Sequence, residues 1–198
     1  MITMPLIGVS LMLYLIIKTR LQSKFHKLIF TGLVLSLAGD VQLLFTTEID
    51  SNLLSALVAI LLAYLMYSIA YYLDFKRNFN ASKVVGTRLL IVLSISIITF
   101  YFSAGRNLEG FLLPALAYLM MLSAMVALSG YRYKRVNKLS YKLILTGSMA
   151  FLLSDLAIAY NLFIDQSKNM MLVFLTAYLI AQYLVVIGAV ERKPYIIQ

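Results

Sequence analysis

The chain of 198 residues is long enough for one domain, but an apolar fraction of 62% and a mean hydropathy of +0.91 exceed what a water-soluble core can bury. Its net charge of +9 comes from basic clusters between apolar runs, a pattern that favours contact with lipid headgroups and argues against a nucleic-acid partner. The absence of cysteine excludes disulfides, thiolate nucleophiles and cysteine-ligated metals.

Seven apolar runs approach the length of ~20 residues, with ~17 as a lower limit, that a helix needs to cross a bilayer. They show no alternation of apolar and polar residues and are too long for strands. We therefore predict an all-α, polytopic transmembrane bundle of seven helices in a single membrane-embedded domain, 1–198. The predicted spans are about 2–17, 28–47, 51–73, 87–105, 110–131, 143–164 and 169–190.

The connections between these spans differ in charge on the two sides of the predicted membrane. On one side they are strongly basic, whereas the three opposite connections hold two basic residues beside four acidic ones. The positive-inside rule then places the N-terminus outside and the C-terminus in the cytoplasm, and we expect the plasma membrane of a bacterium. The basic side holds Lys18, Arg20, Lys24, Lys27, Lys76, Arg77, Lys83, Arg88, Arg132, Lys134, Arg135, Lys138, Lys142, Arg192 and Lys193.

An internal repeat relates the second and third spans to the sixth and seventh. Residues 27–32 resemble residues 142–147, which lie 115 positions later, and Asp40 falls on Asp155 at the same offset. Residues 63–65 match residues 177–179 one position out of register. Because the related spans run in the same direction, the repeat is parallel. The fourth span has no counterpart, as if an architecture of two four-helix halves had lost, or never had, one N-terminal helix.

Asp40 and Asp155 lie inside apolar spans, whereas the other acidic residues lie in loops or at helix ends. Each lies ~13 residues into its span, or ~20 Å deep at 1.5 Å per residue. A carboxylate at such a depth costs ~2.5–3.5 kcal/mol, so two facing carboxyls could share a proton and act as acid and base. We predict that the pair is catalytic; alternatively, each aspartate only hydrogen-bonds a neighbouring helix.

Small and polar residues near the two aspartates could complete a binding site. Ser36 lies one turn before Asp40, and a small residue directly precedes each aspartate and permits close helix approach. An amide in a bilayer needs a partner, whereas a buried tyrosine is more often a packing residue. The candidate substrate-binding residues are Ser36, Gly39, Tyr64, Tyr67, Tyr118, Ser154, Tyr178 and Gln182.

Several chemistries lack the residues that they need. The only histidine, His26, falls in a predicted loop, which excludes a Ser-His-Asp triad at the aspartates. The sequence has no His/Cys metal set, and two carboxylates alone make a poor metal cage, so we expect no metal and no cofactor. A retinal Schiff base is excluded because the seventh span has no lysine between Lys168 and Lys193.

Four short segments carry a family resemblance. Residues 36–40 read S-L-A-G-D, residues 63–67 A-Y-L-M-Y, residues 151–155 F-L-L-S-D and residues 178–182 Y-L-I-A-Q. In that order and spacing they resemble the S-x-x-G-D, A/G-H-x-x-Y, F-x-x-S-D and Y-x-x-A-Q segments of the lysoplasmalogenase (YhhN-like) membrane family. Residues 114–127 resemble the sixth helix of that family. The similarity spans nearly the whole chain.

The resemblance implies an intramembrane hydrolase that cleaves the vinyl-ether bond of lysoplasmalogens, with a lysophospholipid or another membrane lipid as its partner. Asp40 and Asp155 would then be the acid and the base. The chain departs from the family pattern in having seven helices instead of eight, Met4 at a lysine position and Tyr64 at the usual histidine position. There are two alternatives. One is a proton-coupled transporter, and the other is a non-catalytic lipid-binding protein, which the tyrosine at the usual histidine position makes more credible.

Overall fold

The computed structural model describes residues 3–44, 51–104, 112–163 and 167–195, which form seven helices. Each apolar run forms one helix, because a helix satisfies its own backbone hydrogen bonds where lipid offers none. The predicted all-α bundle is confirmed. The helices are α1 (Thr3–Thr19), α2 (Lys24–Leu44), α3 (Ser51–Arg77), α4 (Val84–Ala104), α5 (Leu112–Tyr131), α6 (Lys138–Phe163) and α7 (Lys168–Val190).

Several helices extend beyond the predicted spans at one end of the bundle, where α2, α4 and α6 begin and the other four helices end. We call this the basic end. The prediction of several basic-end residues as loop residues was wrong, because they lie in the first or last turns of helices, namely Lys18, Lys24, His26, Lys27, Lys76, Arg77, Arg88, Lys138 and Lys142. Hydropathy marks only the part of a helix that lipid can cover, and the helix continues past it. The acidic connections at the opposite end lie outside the described residues.

Within the described residues, five helices, α3 to α7, are long and apolar enough to cross a membrane. Helix α1 is apolar but shorter, and α2 carries Asp40 and Gln42 within its apolar run. This number of apolar helices makes the chain a multi-pass membrane protein. The predicted orientation of its termini stays a prediction.

Six helices form a ring of neighbours in the order α1, α2, α3, α5, α6, α7, and α7 packs against α1 to close it. The pairs α1–α2, α2–α3 and α3–α5 recur as α5–α6, α6–α7 and α7–α1, as a parallel repeat requires. Within the described residues, α4 packs outside the ring against α5 alone. It is therefore the unmatched helix, as the sequence predicts.

The interior of the ring is filled mainly by aromatic side chains. Tyr64, Tyr67 and Tyr71 share one face of α3, and together with Phe151 of α6 they are 0% exposed. Gly32 of α2 makes room for one of these rings, because a Cβ at this position would lie 2.4 Å from Cε1 of Tyr67. The α3 face therefore packs directly against both halves of the repeat.

A buried cluster of charges closes the ring at the basic end. Asp74, in the last turn of α3, accepts a hydrogen bond from Nε of Arg132 at 2.9 Å and one from Nε of Arg192 at 3.0 Å. The side chains of Asp74 and Arg132 are 0% exposed. Arg132 also donates to Oγ of Ser140 at 3.0 Å, and Ser140 donates to the carbonyl of Gly188 at 2.6 Å. These contacts tie α3, α6 and α7 to the segments that follow α5 and α7.

Candidate active site

Asp155 lies on the inner side of α6, where tyrosines from two other helices bind it. The hydroxyl of Tyr64 on α3 donates to Oδ2 of Asp155 at 2.8 Å, and that of Tyr118 on α5 donates to the same atom at 3.1 Å. No side chain from the described ranges hydrogen-bonds the second oxygen, Oδ1. Asp155 and Tyr118 are half-buried, and the next residue, Leu156, is exposed. We call Asp155, Tyr64 and Tyr118 the Asp155 half-site.

Asp40 lies on α2 and is only 2% exposed. The hydroxyl of Tyr178 on α7 donates to its Oδ1 at 2.7 Å, and Nε2 of Gln182 donates to that hydroxyl, also at 2.7 Å. Its second oxygen, Oδ2, is buried and has no hydrogen-bond partner in the described parts of the chain. We call Asp40, Tyr178 and Gln182 the Asp40 half-site.

Each half-site combines an aspartate from one half of the repeat with a tyrosine from the other half. Tyr64 and Tyr178 occupy matching positions in the sequence, as do Asp40 and Asp155. In the structure, Tyr178 of the second half binds Asp40 of the first, and Tyr64 of the first half binds Asp155 of the second. The two aspartates therefore belong to one symmetric arrangement inside the ring.

Phe151 lies between the two half-sites. Its ring centroid is 5.5 Å from that of Tyr64 and 5.7 Å from that of Tyr178, both in edge-to-face contact. It also stacks on Tyr67 at 6.1 Å. One phenyl ring thus touches the tyrosine of each half-site, so the two carboxyl groups lie close to a common, mostly aromatic interior.

The structure brings together six of the ten predicted site residues, namely the members of the two half-sites. Two more, Ser36 and Tyr67, are 0% exposed and lie beside the Asp40 half-site. Gly39 and Ser154 instead lie in contacts between helices. A Cβ on Gly39 would lie 2.8 Å from Cγ1 of Ile60, and Oγ of Ser154 donates to the carbonyl of Phe174 at 3.2 Å.

The buried charge cluster at the basic end is the feature that the sequence analysis missed. Asp74 was placed among the acidic residues at helix ends, yet its side chain is 0% exposed. Its spacing was the available signal, because Asp74 lies on the same helix face as Tyr67 and Tyr71, one turn further along α3. Asp40 and Asp155 are therefore not the only acidic residues that the bundle buries.

The half-sites have features that suit proton transfer. Each carboxyl has one oxygen fixed by tyrosine hydroxyls and one free of tyrosine, so a proton or a substrate atom can occupy the second oxygen. The aromatic surroundings exclude bulk water and strengthen electrostatic interactions. In the described part of the chain, no three potential metal ligands of the His, Cys, Asp or Glu type lie together.

Comparison with known proteins identifies one family. A sequence model of the YhhN family matches residues 1–189, which include both half-sites and the ring of helices except the last residue of α7. Arg192, which binds Asp74, lies beyond the matched region. No curated protein and no solved structure matches the chain.

Proposed function

The chain belongs to the YhhN family, and from this premise we propose that it is an intramembrane hydrolase that cleaves the vinyl-ether bond of lysoplasmalogens. Its substrates would be alkenyl-glycerophosphocholine and alkenyl-glycerophosphoethanolamine. The observation that carries the proposal is the exchanged arrangement of the two aspartates, each bound by the tyrosine of the other half of the repeat. Acid–base cleavage of this bond needs a proton donor and a proton acceptor, and two carboxyl groups beside a common, mostly aromatic interior can supply both.

The reaction requires a proton donor and a proton acceptor on one substrate. An acid delivers a proton to the second carbon of the alkenyl chain, which leaves an oxocarbenium ion at the ether carbon. Water then adds to that ion and gives up a proton to a base, and the resulting hemiacetal breaks into a fatty aldehyde and a glycerophospho-alcohol. A protonated aspartate and an ionised partner can supply these two roles.

A lipid substrate would reach the site from the bilayer. Asp155 and Tyr118 are half-buried, and exposed apolar residues flank Asp155 on α6, namely Leu153 at 53% and Leu156 at 55% exposure. An alkenyl chain can therefore approach through lipid without crossing a polar surface. The basic end would face the cytoplasm, where its lysines and arginines attract anionic lipid headgroups.

The test is a product assay on purified protein in lipid nanodiscs. We expect wild-type protein to release fatty aldehyde from an alkenyl lysophospholipid and to leave the matched alkyl lysophospholipid intact, because only the alkenyl chain can be protonated to an oxocarbenium ion. Binding of both lipids without aldehyde release would instead support a non-catalytic lipid-binding protein. Substrate-dependent proton movement across liposomes without a covalent product would support a proton-coupled transporter.

A further inference from the structure

Four buried polar side chains form a column that runs from Asp40 toward the basic end of the ring. They are Ser36 on α2, Tyr67 and Tyr71 on α3, and Ser148 on α6, each 0% exposed. The hydroxyl of Tyr67 lies near that of Ser36, and the hydroxyl of Tyr71 lies near that of Ser148, so each pair can interact directly or through a bridging water. We call these four residues the polar column.

The polar column is poor in direct hydrogen bonds. Among the described residues, none of its four hydroxyl oxygens has a hydrogen-bond partner of standard geometry. The same holds for two atoms of the adjoining Asp40 half-site, Oδ2 of Asp40 and Oε1 of Gln182. In the described part of the chain, six buried polar atoms of neighbouring side chains therefore lack a hydrogen bond of standard geometry, which a buried polar atom almost always has.

The column ends against charged groups at the basic end. The guanidinium carbon of Arg132 lies 5.6 Å from the ring centroid of Tyr71, and Arg132 is paired with Asp74. The column is therefore polar along its length, from an ion pair at one end to a carboxyl group at the other.

Water is the ligand that these atoms fit. A buried polar atom without a partner costs about 1–3 kcal/mol, and proteins commonly avoid that cost with buried water that makes about three hydrogen bonds. Hydroxyl and carboxyl oxygens provide both donors and acceptors for such water.

The repeat gives Asp155 no matching column of hydroxyl groups. At the offset that relates Asp40 to Asp155, Ser36 corresponds to Phe151, and Ser148 corresponds to Leu33. At the offset that relates Tyr64 to Tyr178, Tyr71 corresponds to Val185. Asp155 therefore has apolar residues where Asp40 has hydroxyls, and Asp155 is also the less buried of the two aspartates.

We propose that the polar column holds ordered water that is delivered to Asp40, so that Asp40 is the general base of the reaction and Asp155 is the general acid. This inference rests on the proposed function and assigns its two roles. The Asp155 half-site, which is next to exposed apolar residues of α6, receives the alkenyl chain, and the more buried Asp40 half-site receives the water. The lipid thus reaches Asp155 from the bilayer, and the water reaches Asp40 from inside the ring of helices.

The roles give a balanced cycle. Asp155 transfers its proton to the second carbon of the alkenyl chain, and column water attacks the oxocarbenium carbon while its proton passes to Asp40. Asp40 then returns that proton to the ether oxygen as the carbon–oxygen bond breaks, and the hemiacetal hydroxyl proton passes to Asp155. One water is consumed, an aldehyde and an alcohol are released, and both aspartates regain their starting protonation.

The water can be tested without substrate by radiolytic hydroxyl-radical footprinting of the purified protein. We expect labelling of Tyr67 and Tyr71 although both are 0% exposed, and no labelling of Met125, an equally buried and readily oxidised side chain on α5. Ser148→Val, which replaces a hydroxyl with methyl groups, should reduce the labelling of Tyr71 to the Met125 level. The matched control is Ser129→Val, because the hydroxyl of the buried Ser129 is already bonded to the carbonyl of Val126 at 2.6 Å.

Labelling of both tyrosines no greater than that of Met125 in folded wild-type protein would overturn the water column. This result does not depend on whether the protein cleaves any lipid, so it separates failure of the column from failure of the proposed function. Should Ser148→Val prove unstable, Ser148→Ala in the same assay keeps the comparison, because it removes one hydroxyl without adding volume.

The assignment of roles is tested by rescue with azide. An anionic nucleophile needs no base, so sodium azide should restore substrate consumption in Asp40→Ala and yield an α-azido ether that mass spectrometry detects. Azide should not restore substrate consumption in Asp155→Ala, because this variant has no acid to protonate the second carbon of the alkenyl chain. Rescue of Asp155→Ala, or of neither variant, would overturn the assignment.

Discussion

The two half-sites begin from the same pair of residues and end in different surroundings. In both, a tyrosine of one half of the repeat binds an aspartate of the other. Asp155 gains a second donor, Tyr118, and is half-buried, whereas Asp40 is 2% exposed and its tyrosine is held by Gln182. A duplicated pair of carboxyls thus supplies the symmetry of the site, and residues outside the pair give each carboxyl a separate environment.

Among the residues that surround the two aspartates, the tyrosines should show the largest effect when their hydroxyls are removed. Tyr178→Phe deprives Asp40 of the one tyrosine donor that it has among the described residues. A hydrogen bond to a charged group contributes about 1.5–3 kcal/mol, so we expect aldehyde release to fall by roughly 10- to 100-fold. Tyr64→Phe should cost less, about 2- to 10-fold, because Tyr118 still donates to Oδ2 of Asp155. The measurement is kcat for aldehyde release.

The control for that comparison is the Tyr64→Phe/Tyr118→Phe double variant, which removes both tyrosine donors from Asp155 as Tyr178→Phe removes the one from Asp40. Its loss should approach that of Tyr178→Phe. If Tyr64→Phe alone already costs as much as the double variant, the second donor has no role and the two half-sites do not differ in the way described.

A smaller effect should come from Gln182, which in the described part of the chain is connected to Asp40 through the hydroxyl of Tyr178. Gln182→Leu removes the amide that donates to the tyrosine hydroxyl at 2.7 Å, and a neutral hydrogen bond contributes about 0.5–1.5 kcal/mol, so we expect a loss of activity of about 2- to 10-fold. Combined with Tyr178→Phe the loss should be less than additive, and combined with Tyr118→Phe it should be additive. Additivity with both would contradict a connection confined to one half-site.

The smallest effect should come from His26, which lies in neither half-site. Burial lowers the pKa of His26 below 6.5, and Arg192 adds to this effect, although the hydrogen bond to the carbonyl of Ala189 and nearby Asp74 oppose it. Because the folded protein holds the proton less tightly, the stabilisation is present above pH 6.5 and is lost as the pH falls through the lowered pKa. Thermal unfolding of wild type and His26→Gln between pH 7.5 and pH 5 should show a slightly smaller pH dependence in the variant.

The sequence predicted those residues of the site that are marked by their depth in the membrane or by the internal repeat. Asp40 and Asp155 stand out because lipid makes an embedded charge costly, and Tyr64 and Tyr178 share a repeat position. The exchange of partners between the halves could not be predicted, because it depends on which helices are neighbours across the ring.

The buried cluster around Asp74 was missed for a related reason. A charge in the last turn of a helix is usually solvated, and the burial of this one depends on Arg132 and Arg192, which lie far away in the sequence. Only the packing of the segments that follow α5 and α7 against the ring brings these residues together. The predicted binding roles of Gly39 and Ser154 stay predictions, since the structure places both in contacts between helices.

The central claim is that the two carboxyls serve one reaction, and the activities of Asp40→Asn, Asp155→Asn and the double variant test it most directly. Loss of acid or base catalysis costs about 10²- to 10⁴-fold, so each single variant should lose at least that much aldehyde release, and the double variant should be little worse than the slower single one. Full activity in both single variants, or half of the activity in each and none in the double variant, would contradict a single shared site.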